Sequence, residues 1–233
     1  MKLILKQKEP KYLKNHRVKK GTTYTSFCQD VKLGDIQPPS GFRKYLLEEQ
    51  GYLCVYCMRR IPHKHIEKGI EHDDMKIEHR ISQKNGSSIA KKLDITHSNM
   101  FACCMGYEGQ KEKFQTCDTR KGENPITINP TNKLDVETIK YGFDGLITSS
   151  NTTFDNEINK ILNLNETNLK KQRKAIYDLV DKRTKEAYKT LLDRKAKNEY
   201  LKKESKFWLK ATKHKCKEYC MVAVVYLQSR IIK

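Results

Sequence analysis

The chain has 233 residues, enough to bury one good core or a small module with a helical companion. Lysine and arginine number 47 against 28 acids, a net charge of +19, so counterion release draws the chain to a polyanion and nucleic acid is the expected partner. No apolar run approaches the roughly 18 to 20 residues of a membrane span, and the opening Met1-Lys2-Leu3-Ile4-Leu5-Lys6 is too short for a secretory leader; the expectation is a cytoplasmic protein with no membrane partner. In a reducing compartment, eight cysteines read as ligands or buried thiols rather than disulfides.

Residues 3 to 5 can form a short strand, and Glu9-Pro10 opens a basic, helical stretch through Lys20. Gly21 to Pro39 carries turn residues. Ser40 then caps a helix over Gly41 to Gln50, with Leu46 and Leu47 on its buried side and Gly51 ending it. Cys54 and Cys57 fall on the tight turn that follows, where a CxxC knuckle belongs.

Arg59 to Asp74 is polar, and His63, His65 and His72 read as solvent-exposed loop side chains. Lys76 to Ile81 is compatible with a strand carrying Glu78 and His79, followed by a Gly/Ser/Asn loop over Gln83 to Ser88. Asn99 leads into an apolar strand, Met100-Phe101-Ala102, ending at Cys103-Cys104. A Gly/Lys/Glu-rich insertion from Met105 to Thr116 precedes Cys117, and a short helix after Asp118 runs to Lys121, stopped by Gly122 and Pro125. Strand, strand and helix around a metal make a ββα-metal arrangement.

Pro125 to Thr153 reads as an irregular connecting wrap. From Phe154 the period turns helical through Ile158, Ile161, Leu162, Ile176, Leu179, Val180, Ala187 and Leu191, with lysine and arginine on the other faces. Those cations can line a phosphate track or simply solvate a face. Tyr219 to Ile232 is apolar nearly all round and predicts a buried helix; Cys28, Cys216 and Cys220 read as buried thiols.

Four thiolates close a tetrahedral structural zinc site, and Cys54, Cys57 and Cys117 are its firm candidates. The fourth is Cys103 or Cys104, with the spacing from Asn99 favouring Cys104 by analogy with the commoner motif. Phosphodiester hydrolysis needs a base for water and a cation for the charge on the phosphate. His79 suits the first task, with Asn99 supplying the carbonyl that orients the ring; Glu78 and Asp118 are hard oxygen ligands for Mg2+ or Mn2+. Lys121 can touch a phosphate or pair with Glu123.

The order CxxC, Glu78-His79, Asn99 before an apolar run and Cys, then Cys117-Asp118-Thr119-Arg120-Lys121-Gly122, resembles the HNH endonuclease superfamily. It is similar, more closely, to the HNH proteins of retron and Septu antiphage systems, whose amino-terminal pattern is visible in Lys8-Glu9-Pro10 and in Arg43 to Gln50 leading to Leu53-Cys54. The resemblance covers roughly residues 1 to 125 and the later helices only in outline. It implies His79 as general base, Glu78 and Asp118 on the catalytic cation and Asn99 as orienting residue. It also implies an ATPase of the ABC or SMC-like type as partner, often with a retron reverse transcriptase and its DNA-RNA hybrid. Two departures stand out: Asp118 replaces the usual Asn or His, and the Met105 to Thr116 insertion splits the last cysteines.

The expectation is therefore an α+β protein, a zinc-stapled ββα-metal module embedded in helices. An arm and helix occupy 1–50, the nuclease module 51–125, and a helical region with a basic face for partner docking 126–233. The expected activity is metal-dependent cleavage of DNA, or of RNA such as tRNA, as the effector of an antiphage system. The competing expectation is a non-catalytic zinc-knuckle adaptor that binds nucleic acid.

Overall fold

Short runs bounded by turn residues dominate the first half of the chain and long amphipathic runs the second, and the architecture follows that division. The computed structural model describes residues 1–30, 39–62, 65–67, 70–72, 74–83 and 93–232. The fold is mixed α+β and about half helical, with three two-stranded antiparallel sheets among the described residues.

Helix α1 (Lys11–Arg17) lies inside the basic stretch expected to be helical, and α2 (Tyr24–Asp30) forms where turn residues suggested none. Residues 3 to 5 form no strand: Ile4 donates one backbone bond to Pro130 O at 2.9 Å and is otherwise held by burial. Helix α3 (Pro39–Gln50) starts one residue before its expected cap at Ser40, since proline is well placed in a first turn, where its missing N–H costs nothing. Phe42, Leu46 and Leu47 are fully buried on one face of α3. At its end the Gln50 amide donates to Leu53 O and Ala102 O, at 2.9 and 2.8 Å, and accepts from Ala102 N at 2.8 Å. That side chain therefore pairs the edge of the central strand as a neighbouring strand would.

Strands β1 (His65–Glu67) and β2 (Ile70–His72) form a small hairpin in the stretch expected to be a polar loop. The expected exposure of His63, His65 and His72, and the loop expected over residues 84–88, lie outside the described residues. Strands β3 (Met75–His79) and β4 (Met100–Cys104) pair antiparallel, with Glu78 opposite Phe101 and His79 opposite Met100. All five residues of β4 are buried, which explains its unbroken apolar character. Helix α4 (Cys117–Lys121) follows, completing the strand, strand, helix order.

The wrap expected over 125–153 contains a turn of helix, α5 (Lys133–Glu137), capped by Asn132, and a hairpin of β5 (Ile139–Tyr141) and β6 (Ile147–Ser149). Helix α6 (Thr152–Asn156) runs into a π turn over Glu157–Ile161. Helices α7 (Thr167–Tyr188), α8 (Arg194–Leu209) and α9 (Cys220–Ser229) finish the chain. Six residues of α9 are buried, among them Val222 and Leu227, each contributing about 1.5–3 kcal/mol on leaving water. One hydrophobic cluster runs from Met1 through α3, β4 and Ile128 to Leu169, and a second gathers α7, α8 and α9 with Leu53 and Met58 of the knuckle. Among the described residues no helix is long and apolar enough to cross a membrane.

Candidate functional site

The CxxC turn is built by local bonds. Met58 N donates to Cys54 O at 3.1 Å and Cys54 N to Arg59 O at 2.9 Å, closing a knuckle in which Met58 takes φ 63°. On the other side the twelve-residue insertion is pinched at its base, where Thr116 N donates to Gly106 O at 2.9 Å and Thr119 Oγ1 to Met105 O at 2.8 Å. Gly106 has φ 56°, and a side chain there would put its Cβ 2.1 Å from Thr116 O, so only glycine lets the two ends of the insertion meet. The pinch returns Cys117 to β4 as though the insertion were absent. Cys117 itself holds φ 56°, pinned by its own N–H on Leu162 O at 2.9 Å. A non-glycine residue persists in that region only where its surroundings over-determine it.

These turns bring Cys54, Cys57, Cys104 and Cys117 together, all buried, with every sulfur within 4.8 Å of the others. A tetrahedral zinc with Zn–S bonds of about 2.3 Å sets its sulfurs about 3.8 Å apart. The Cys54–Cys117 and Cys57–Cys104 sulfur pairs are both at 3.8 Å. Cys103 Sγ lies 3.6 Å from Cys54 Sγ but is not one of the mutually adjacent four. The thiols differ in acidity: hydrogen bonding from Cys103 and Cys117 holds Cys104 down to about 5, while burial pushes Cys117 well up. A bound dication would allow all four to be thiolates, so this donor set can hold a zinc ion. Arg59 stacks on the Tyr107 ring at 4.3 Å; burial alone would lower its pKa, but the charges of Cys57 and Cys104 raise it, making Arg59 the local counter-charge.

Glu78 and His79 sit at the end of β3, only 2% and 7% exposed. Glu78 Oε1 accepts from Tyr56 Oη at 2.6 Å and lies 2.9 Å from Lys121 Nζ. Burial, and then a hydrogen bond and repulsion from Asp118, hold the Glu78 carboxyl well above the usual carboxylate range. Asp118, in the first turn of α4, is thus in contact with Glu78 across the ββα junction. Tyr56 was not singled out from sequence, although a hydroxyl inside the CxxC was the available signal; through it the knuckle touches the acidic pair. Lys121 pairs with Glu78 rather than with Glu123, and at 1% exposure it offers nothing to a phosphate.

The oxygen facing the His79 ring belongs to Asp94, not Asn99. His79 Nε2 lies 2.8 Å from Asp94 O; a carbonyl only accepts, so Nε2 carries the proton and Nδ1 is left as the basic nitrogen. Asn99 acts one step away: its Oδ1 accepts from Ile81 N at 2.9 Å, its Nδ2 donates to Ile81 O at 3.0 Å, and its own carbonyl accepts from Arg80 N at 3.1 Å. It therefore clamps the chain just after His79. The Tyr24 ring packs edge-on against His79 at 4.6 Å, and Tyr24 N donates to Asp94 Oδ2 at 2.7 Å, so α2 braces both the ring and its carbonyl partner. Burial lowers the His79 pKa below its ordinary value, favouring neutral imidazole.

The remaining cysteines stay apart from this centre. Cys216 and Cys220 are buried and Cys28 half-buried, and among the described residues the four-cysteine cluster alone gathers three or more metal-ligating side chains. On α7, Lys174 and Lys185 are paired with Asp178 and Asp181 at 2.6 Å each, and Lys189, just past its end, with Glu186 at 2.9 Å, a solvated-face pattern, whereas Lys171 and Lys182 stand exposed. No family model and no curated protein matches the chain.

Proposed function

We propose that this chain is a metal-dependent nuclease of the HNH type that hydrolyses phosphodiester bonds in DNA or RNA. The observation that carries the reading is the contact of Glu78 with Asp118 at the ββα junction, beside a four-cysteine centre and next in sequence to His79, whose ring is held by Asp94 O. Binding nucleic acid requires none of Glu78, His79 and Asp118, and burying the first two is costly without a use for them. The cysteines hold a structural zinc in this reading, replacing a core that two five-residue strands cannot build. Glu78 and Asp118 supply hard oxygens suited to Mg2+ or Mn2+, which would neutralise charge on the phosphate and leaving oxygen.

The residues divide the work as follows. His79 Nδ1 removes a proton from water; the water oxygen bonds to phosphorus while the bond from phosphorus to the leaving oxygen breaks, and that oxygen is reprotonated from solvent. Asp94 O and Tyr24 keep the ring aimed, and Asn99 fixes the turn that follows it. The net charge of +19 concentrates the substrate at the surface. The proposal extends to context: an effector of antiphage defence acting beside an ABC or SMC-like ATPase, with a retron reverse transcriptase and its DNA-RNA hybrid as a further partner.

One observation favours a zinc-knuckle adaptor instead: His79 is only 7% exposed. Cleavage of labelled duplex, single strand and total RNA by purified protein, alone and with the ATPase, separates the two. His79→Ala is expected to keep its zinc and lose about 100- to 10,000-fold in rate, as for loss of a positioned base. Absence of cleavage with every substrate and metal, with salt-sensitive binding equal in wild type and variant, would establish the adaptor.

A further inference from the structure

Away from the acidic site, the β5–β6 hairpin and helices α7 and α9 line an open-sided cavity of about 440 Å³, inside the ~300–1,000 Å³ range of ligand clefts. Its chemistry is uniform. The rings of Tyr141, Phe143, Tyr177 and Tyr226 line it, Lys140 and Arg230 supply its charges, and no carboxylate faces it.

These groups are held in place before any ligand arrives. Tyr177 and Tyr226 meet edge to face at 83° with centroids 4.9 Å apart, presenting a rigid aromatic corner. Asp181 accepts from Tyr226 Oη at 2.7 Å and lies 3.6 Å from Arg230, whose guanidinium stacks 4.5 Å over the Tyr226 ring. Phe143 occupies the tip of the hairpin turn, closed by Gly145 N on Gly142 O at 3.0 Å. That turn is pinned against α7, since a Cβ on Gly145 would stand 2.1 Å from Lys170 O. The result is a phenylalanine 72% exposed on a turn packed closely against α7, its apolar face unused by the fold. Lys140, in the middle of β5, is exposed and makes no ion pair among the described residues.

We propose that this cavity binds one unstacked nucleotide of a single-stranded nucleic acid, the base against the aromatic rings and its phosphate between Lys140 and Arg230. Aromatic faces bind any base without reading its edge, and cations beside them hold the backbone, which is the pattern of single-strand grooves. A duplex keeps its bases stacked and cannot present one to Phe143. A free mononucleotide would gain far less from the net charge of +19 than a polyanion that releases many counterions. The inference uses nucleic acid as partner from the proposed function but does not depend on cleavage.

The test is fluorescence anisotropy with a labelled 12-nucleotide single strand and a hairpin duplex of the same sequence, in magnesium-free buffer, with AMP as competitor. Phe143→Ala is expected to weaken single-strand binding about tenfold and leave duplex binding unchanged, while Phe143→Tyr retains wild-type affinity. Lys140→Ala is expected to reduce the slope of log affinity against log salt by about 0.7, one phosphate contact on a single strand. Equal single-strand affinity in wild type and Phe143→Ala overturns the proposal, as does an equal loss on duplex. AMP binding that depends on Phe143, with no such dependence for the strand, overturns it in favour of a free nucleotide. A wild type that cleaves nothing but keeps the Phe143 effect removes the nuclease reading and leaves the pocket standing.

Discussion

Lys121 Nζ stands 2.9 Å from Glu78 Oε1 with both side chains at or below 2% exposure, an ion pair sealed inside the ββα junction. Two carboxylates, Glu78 and Asp118, share that junction, and this lysine is the cation beside them. A buried pair of this kind adds little net stability over apolar packing, but removing one partner strands the other's charge. Here Glu78, already held well above the usual carboxylate range, can take up a proton when Lys121 is lost, so Lys121→Met is expected to cost about 1–3 kcal/mol in magnesium-free buffer, the penalty of a buried acceptor losing its donor. If Glu78 and Asp118 are cation ligands, millimolar magnesium should restore part of that loss in the variant and shift the wild type far less. Thermal melts of both proteins with and without magnesium check this; a variant as stable as wild type, or one indifferent to the ion, counts against the pairing argument.

The zinc centre makes a sharper claim, because Cys103 and Cys104 are neighbours with different assignments. Cys104 belongs to the mutually adjacent four and Cys103 does not. Cys104→Ser is expected to purify zinc-poor and unfolded, since structural zinc contributes on the order of 10 kcal/mol to folding. Cys103→Ser should hold one zinc per chain and melt cooperatively. Metal analysis by mass spectrometry decides it, and the reverse pattern would move the fourth ligand to Cys103.

What was readable in the sequence was local. Cys54 and Cys57 bind through one turn, and β3 and β4 each carry their motif residues within five positions, so spacing alone located them. The preference for Cys104 over Cys103 came from the spacing to Asn99 by analogy and agrees with the cluster, but its physical reason, the Gly106–Thr116 pinch that delivers Cys117, carries no signal in the residue types. Asp94 was invisible because it acts through a backbone carbonyl, which every residue has. Lys121 was read against its sequence neighbour Glu123, whereas its partner lies on β3. Helix α2 and the β5–β6 hairpin escaped because seven and three residues are too few to establish a period, and tertiary packing decides them.

Behind the site, Glu49 gathers the amino-terminal segment onto α3. Its oxygens lie 2.9 Å from Lys6 Nζ, 2.7 Å from Gln7 N and 3.0 Å from His97 Nε2, and its side chain is fully enclosed. Lys6 continues the tie by donating to Met100 O at 2.6 Å, so the hub reaches the first residue of β4. Burial alone would raise the Glu49 carboxyl, but His97, Lys6 and the Gln7 amide more than offset it and leave it below its ordinary value of 4.5. A carboxyl depressed in the folded state contributes stability that is present above its unfolded pKa and is lost as pH falls through the folded one. Glu49→Gln is thus expected to cost about 3 kcal/mol at pH 7, the penalty for leaving Lys6 buried without its partner. The gap between wild type and variant should then close as the pH falls through the wild-type carboxyl's own titration, which lies below its ordinary value. Urea unfolding of both proteins across that range is the measurement, and comparing the two cancels the zinc loss that acid imposes on each. A gap that stays constant with pH would mean that Glu49 holds the arm by shape and hydrogen bonding, with its charge contributing nothing.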